Sequence, residues 1–432
     1  MTERDTERKL WIAACVILVV GIALQFFLWS RQSVMYDQLM LLTLGLDFVE
    51  NVRLAPFATH MSGGGKLPGA LLQLLIGVPL RLWFDFRSPA LLIGISHLAA
   101  VAVLGATLAK ALGPRSTVFF LAIYWLSPWR LYHAGFLWNP GFVFLPAAVH
   151  LASSYRLRDQ PRFLASAVLV AVIVMTMQVH ASFLFLLVST AILLWKRKVR
   201  LDLKGAFVGL VAGSLTLIPT AVAFVRGDLP RIPPQRWGHL PPVVQEVSNL
   251  LKGSLYWFRL GSLDIGRRIR QVAGTVEAEL GDAAGGSILA AGVDVLAAVA
   301  AVSIVISVVA SWSYFRRSSA DEGPGDEGRS WIRIYALSFL LSVGIVAILA
   351  PVPLQGWHVI IVLHAACIPV AFWLERNLLG GRAWLRAAAA SFIVLQVVIT
   401  LAIGLGNPMY VPTSEPPELA DSAPQELERL LR

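Results

Sequence analysis

Charged side chains are scarce in this chain of 432 residues: Asp, Glu, Lys and Arg make up 14% of it, against 57% hydrophobic residues and a mean hydropathy of +0.69. That shortage excludes a water-soluble multidomain protein, a coiled coil and a disordered chain. Cysteine is nearly missing too. Cys15 and Cys367 lie far apart, each inside an apolar run, which excludes a disulfide framework and leaves them as packing residues. Nucleotide-driven chemistry lacks its usual marks. Gly63-Gly64-Gly65-Lys66 has neither the preceding strand, the spacing nor the following Ser or Thr of a phosphate loop, and no G-x-S-x-G elbow occurs. The amino-terminal MTERDTERK precedes about 20 apolar residues without an A-x-A-like cleavage site, which predicts a retained first span and a mature start at or near Met1. No internal repeat or matched pair of Gly/Pro-broken spans is present, which argues against a secondary transporter.

What is abundant is long apolar sequence. A helix crossing a hydrocarbon core about 30 Å thick needs roughly 20 residues, fewer where the bilayer thins. Eleven segments meet this, near 10–29, 90–111, 117–131, 138–155, 163–178, 181–195, 205–225, 287–312, 331–350, 357–374 and 387–405. The expected class is an all-α polytopic membrane protein with about 11 transmembrane helices: a single transmembrane domain over 1–406 and an extended tail, 407–432, with a weak terminal helix. The net charge of +10 then reads as orientation rather than nucleic-acid binding. With the amino terminus in the cytoplasm, the clusters Arg156/Arg158/Arg162, Lys196 to Lys204, Arg316/Arg317 and Arg376/Arg382/Arg386 all fall on the cytoplasmic side, and the short outer turns 132–137, 178–181 and 351–356 carry no Lys or Arg. If the apolar run 67–84 also crossed, that bias would reverse. Its Pro68, Gly69, Pro79 and Arg81 suit an outer-side juxtamembrane or re-entrant helix.

Two outer segments, 30–89 and 226–286, are large enough to build a site. In the first, Asp37 stands just beyond the first span, where a partly desolvated carboxylate can take a proton from a hydroxyl; position alone favours the plainer reading, a helix cap over 38–50. Asp47 and Glu50 read as a solvated polar face, and without a D-x-D pair a divalent ion is possible but not favoured, so no cofactor is expected. Lys66, Arg81, Arg130 and His133 are candidates to grip a lipid phosphate, with interfacial snorkelling the plainer account, above all for Arg81. Trp138-Asn139-Pro140 and Gln178-Val179-His180 place polar groups where spans meet outer turns, as does Trp357-His358. Asn139 capping a helix ahead of Pro140, and His180 bonding a carbonyl, are the bland readings. The second segment opens with a proline-rich run, 229–242, then has helical candidates near 243–258 and 262–280. Residues 316–330 read as a cytoplasmic linker.

In order, these features resemble the GT-C glycosyltransferases, more closely the bacterial members related to protein O-mannosyltransferases and to lipid A aminoarabinose transferases. The residues that carry the resemblance are Tyr36-Asp37, Gly64-Gly65-Lys66-Leu67-Pro68-Gly69, Leu137-Trp138-Asn139-Pro140, Gln178-Val179-His180-Ala181-Ser182 and Gly356-Trp357-His358. The resemblance covers 10–225 well and the remainder loosely. It implies an inner-membrane enzyme acting on the periplasmic side, which moves a sugar from a polyprenyl-phosphate donor to a glycan, lipid or protein acceptor with inversion. It puts Asp37 in the role of general base, Lys66, Arg130 and His133 beside the lipid phosphate, and Tyr36, Trp138, Asn139, Gln178, His180 and His358 around the pocket. Gln38 stands where many relatives have a second acid, which puts a paired-acid or metal scheme in doubt. The alternatives are a lipid-linked saccharide flippase, an O-antigen ligase or polymerase, and a non-catalytic assembly subunit.

Overall fold

The computed structural model describes residues 3–61, 65–228, 242–281, 284–316, 327–411 and 425–431. The proline-rich run, most of the 316–330 linker, Gly63 and Gly64, and most of the tail lie outside them. The described chain is almost wholly helical, as the composition requires. Among the described residues seven helices are long and apolar enough to cross a membrane, or eight if one sharply bent pair counts as a single span, and three shorter apolar helices accompany them.

The first span is α1 (Glu3–Ser30), followed by α2 (Tyr36–Asn51), the strands β1 (Phe57–His60) and β2 (Lys66–Pro68), and α3 (Leu71–Leu82). The strands pair antiparallel, Phe57 opposite Pro68 and His60 opposite Lys66. Helix α3 occupies the apolar run 67–84. Its 12 residues span ~18 Å, short of the ~30 Å core, and its face of Leu72, Ile76 and Leu80 is buried against Leu42 and Leu46 of α2. Gln73 fastens the pair by donating to Asp47 Oδ2 (3.1 Å) while accepting from Ala55 N (2.7 Å). Asp47 thus works within the packing.

Two spans' worth of chain follow as α4 (Ser88–Leu112), α5 (Pro114–Trp125) and α6 (Pro128–Ala134). A 3-10 turn at Asn139–Val143 then leads into α7 (Phe144–Arg156), and the axis bends by 116° between α6 and this segment. Helices α8 (Phe163–Met177), α9 (Phe183–Trp195), α10 (Leu203–Ser214) and α11 (Ile218–Arg226) complete the first half. Helix α10 meets α8 through glycines four residues apart: a Cβ on Gly205 would lie 2.2 Å from Phe163 O, and one on Gly209 2.1 Å from Ala167 O. Small residues at this spacing let two backbones touch where lipid offers no hydrophobic drive. Gly209→Val is therefore expected to force α8 and α10 apart and destabilise the protein by roughly 1–3 kcal/mol, read as a lower melting temperature in detergent; unchanged melting would show that the two helices separate without cost.

The second half comprises α12 (Pro242–Leu260), α13 (Arg267–Leu280), α14 (Ala284–Phe315), α15 (Glu327–Leu349), the short α16 (Gly356–Val359), α17 (Leu363–Gly380) and α18 (Ala383–Gly406). Helix α19 (Gln425–Leu431) returns to α2 and buries Leu427, Leu430 and Leu431 in the same apolar cluster as Leu42. Inside the bundle, polar side chains pair with each other: His150 bonds Tyr335 Oη (2.9 Å) and Thr190 (2.8 Å), and Tyr335 Oη meets His364 Nε2 (3.1 Å). Imidazoles in such surroundings need partners, and these have them.

Candidate active site

A cavity of about 290 Å³ is lined by Asp37, Met40 and Leu41 of α2, Thr59 and His60 of β1, Met61, Leu67 of β2, Trp138-Asn139-Pro140, His180-Ala181, Arg268 of α13 and Trp357-His358 of α16. Residues more than 300 positions apart thus share one wall.

Each wall has a local cause. Helix α2 starts at Tyr36, with Met35 as its N-cap and Gln38 Oε1 accepting from Met35 N (3.1 Å). Asp37 therefore sits in the first helical turn rather than at the cap, exposed, where the positive end of the helix favours a carboxylate. The side chain of Tyr36 lies outside the described residues. The bend after α6 turns Trp138, Asn139 and Pro140 inward. Asn139 Nδ2 donates to Val179 O (3.1 Å), so it ties the bend to the 178–181 turn instead of capping a helix. Trp138 is held between His133, stacked at 5.5 Å and 8°, and Trp357 at 5.7 Å. On the far side Asn249 of α12 donates to Val352 O (2.9 Å) and accepts from Leu354 N (2.9 Å), which fixes the loop that presents Trp357 and His358.

His180 bonds Ser182 Oγ through Nδ1 (2.8 Å), and its ring lies 6.3 Å from that of His358. Burial, then the neighbouring His358 and His133, push the His180 imidazole down to about 3, so it is neutral near pH 7 and serves as a hydrogen-bonding group. Among the described residues no three His, Cys, Asp or Glu side chains converge in a way that could hold a metal ion.

Of the residues singled out from sequence, Asp37, Trp138, Asn139, His180 and His358 line this cavity, whereas Lys66, Arg130, His133 and Gln178 do not. Lys66 stands opposite His60 in the hairpin and beside Leu67, both of which line the cavity, but is not itself part of the lining. His133 is buried behind Trp138, its Nδ1 donating to Trp129 O (2.8 Å). Gln178 lies under the hairpin root. It accepts from Thr216 Oγ1 (2.7 Å) and donates to Gly213 O (2.9 Å), and a Cβ on Gly69 would come within 2.2 Å of its Oε1. Gly69, at φ +89°, donates to Pro56 O (3.0 Å) and Thr220 Oγ1 (2.8 Å), so the hairpin hangs from α11.

Arg130 is wholly buried in the bundle. Its Nε and Nη2 donate to Trp125 O (2.9 and 2.6 Å), Nη1 donates to Gln25 Oε1 (2.7 Å), and the guanidinium lies 3.6 Å over the Trp125 ring. Arg130→Gln leaves the Trp125 carbonyl without its donors and is expected to cost on the order of 2 kcal/mol of stability. Thermal unfolding should show that loss; a loss of polyprenyl-phosphate affinity at unchanged stability would instead return Arg130 to the phosphate.

Sequence reasoning missed Arg268. Its guanidinium donates to Gln271 Oε1 (2.9 Å) and lies 5.1 Å from the Tyr132 ring, and it also borders a second cavity, of about 390 Å³, lined by Gln271, Thr275, Glu279 and Asn407. Helix α13 buries Ile269, Val272 and Ala273, which sets Arg268 at the edge of the packed face. A signal was present: Arg267, Arg268 and Arg270 crowd one amphipathic stretch of a segment assigned to the outer side, where the positive-inside tendency disfavours cations.

No protein-family model matches the chain, and no curated protein matches it. Among solved structures it is similar to the crystal structure of ArnT from Cupriavidus metallidurans in the apo state, at 13% identity and a TM-score of 0.51, over 99% of this chain and 78% of that one. A second crystal structure of that ArnT, bound to undecaprenyl phosphate, aligns at 13% identity and a TM-score of 0.49 over 97% and 77%. The first likeness shows the fold: an all-α polytopic membrane protein with the architecture of that ArnT, in the class expected from the sequence.

Proposed function

We propose that this protein is a GT-C-type glycosyltransferase that moves a sugar from a polyprenyl-phosphate donor to an acceptor hydroxyl on the outer face of the membrane. The observation that carries the reading is one cavity lined by both an exposed carboxylate, Asp37, and a cation, Arg268, within a fold shared with ArnT. A base and an anion-stabilising group in one small space are what displacement of a phosphate from a sugar carbon needs. In this mechanism the acceptor oxygen forms a bond to the anomeric carbon as the bond to the phosphate oxygen breaks. The acceptor proton passes to Asp37, the electron pair leaves with the polyprenyl phosphate, and Arg268 holds that charge. Attack opposite the leaving group inverts the anomeric configuration. Trp138 and Trp357 give the sugar apolar faces, and Asn139, His180 and His358 supply hydrogen bonds.

Reconstituted protein supplied with polyprenyl-monophosphate and polyprenyl-pyrophosphate sugars in parallel tests this reading. Transfer from the monophosphate donor with inversion is the expected result. Transfer from the pyrophosphate donor alone would point to a ligase or polymerase, and lipid translocation in vesicles without transfer to a flippase.

A further inference from the structure

We propose that the groove between α1, α4 and α5 binds one acyl chain of an anionic glycerophospholipid, with the lipid phosphate held by basic residues at one end of the groove. The groove encloses about 550 Å³. Its lining is apolar except for Thr117, whose hydroxyl donates to Gly113 O at 2.8 Å. Nothing in it calls for water or a substrate hydroxyl, which leaves a hydrocarbon chain as the fitting occupant.

Length narrows the choice. Lining residues run from Leu10 to Ile22 on α1 and from Leu98 to Ala109 on α4. At about 1.5 Å per residue these stretches are each ~17–18 Å long, close to the ~15 Å half-thickness of a hydrocarbon core. Both helices qualify as membrane spans. The groove therefore matches one acyl chain in one leaflet and is too short for a polyprenyl tail. It shares no lining residue with the cavity of Asp37 and Arg268, so it is a site apart from the proposed chemistry.

Charge then selects the headgroup. At the end where Leu10, Ala109 and Pro114 lie, the chain places Arg8, Lys9, Lys110 and Arg115, together with Arg4 against Glu3, Asp5 and Glu7 in the preceding sequence, so cations remain in excess there. Arg8, Lys9 and Lys110 are exposed, and Arg115 shares its charge with Glu375 at 3.4 Å. Toward the other end, residues 11–30 and 88–109 contain no Lys, Arg, Asp or Glu. A dry groove with an excess of cations at a single end complements an amphiphile with a single anionic end, and each Lys or Arg at a membrane surface favours anionic lipid by about fivefold.

The groove can be filled without disturbing the bundle. A Cβ on Gly105 would first meet Leu121 Cδ2, at 3.9 Å, an ordinary contact. Native mass spectrometry of the full chain in detergent, with dioleoyl-phosphatidylglycerol, dioleoyl-phosphatidylcholine or undecaprenyl phosphate added, tests the site. The wild type should retain phosphatidylglycerol about tenfold better than phosphatidylcholine. Gly105→Phe should abolish retention, and Lys110→Gln should lower the phosphatidylglycerol preference about fivefold. If Gly105→Phe does not give folded protein, Ala106→Leu on the same wall carries the test. Equal retention of the two phospholipids, retention that survives the filled groove, or preference for undecaprenyl phosphate would each overturn the proposal.

Discussion

Asp37→Asn is expected to lower sugar transfer by about 10²- to 10⁴-fold, the usual contribution of a positioned general base. The amide keeps the size and polarity of the carboxylate and loses its basicity. Because Asp37 is exposed in the first turn of α2, folding should change little; the lost interaction with the helix end is worth about 0.3–1 kcal/mol. Donor affinity should hold, since the base acts on the acceptor. Asp37→Glu should recover part of the rate, as the longer side chain still carries a base. The measurements are kcat for transfer and melting temperature, taken together. Wild-type turnover by Asp37→Asn would remove this residue from the mechanism.

Arg268→Met should cost about 10²- to 10³-fold in turnover, the range seen when one donor to a developing oxyanion is removed. Unlike Asp37→Asn, it should also weaken binding of polyprenyl phosphate, because the same charge meets the product. The change removes a hydrogen bond to Gln271 and a contact over Tyr132, but leaves the buried face of α13, Ile269, Val272 and Ala273, in place. Melting should therefore stay near that of wild type. Arg268→Lys should bind the phosphate as a point charge and restore part of the activity. Arg130→Gln, by contrast, should lose stability rather than phosphate affinity. If the two arginine variants gave exchanged phenotypes, the assignment of the phosphate cation would be wrong.

The fold was legible because apolar length is a one-dimensional signal. The eleven segments singled out from sequence are largely helical in the structure, but only seven or eight helices among the described residues qualify as spans: the run 117–131 breaks between α5 and α6, and the short α8 and α9 fall below the length of a full span. The site was legible only in part. Asp37, Trp138, Asn139, His180 and His358 sit at junctions of apolar and polar sequence, and such junctions gather at one end of a bundle. Burial is another matter: sequence does not distinguish a cation at a span's end that faces solvent from one that turns inward. Arg130 and Gln178 both mark span ends, yet Arg130 holds the Trp125 carbonyl and Gln178 locks the hairpin root at Gly69. Arg268 was hidden for the opposite reason. Its neighbours in sequence carry similar charge, and only the packing of α13 decides which arginine meets the cavity.

The wide spacing of the cavity's residues has a consequence for biosynthesis. Asp37 emerges early, but His358 follows about 320 residues later, and at roughly 5–20 residues per second the ribosome needs on the order of 15–60 s to cover that distance. For about the first 230 residues of that stretch the growing chain carries its carboxylate without Arg268, and the Trp357 wall follows later still. On the proposed mechanism, transfer therefore begins only once the later spans have been inserted.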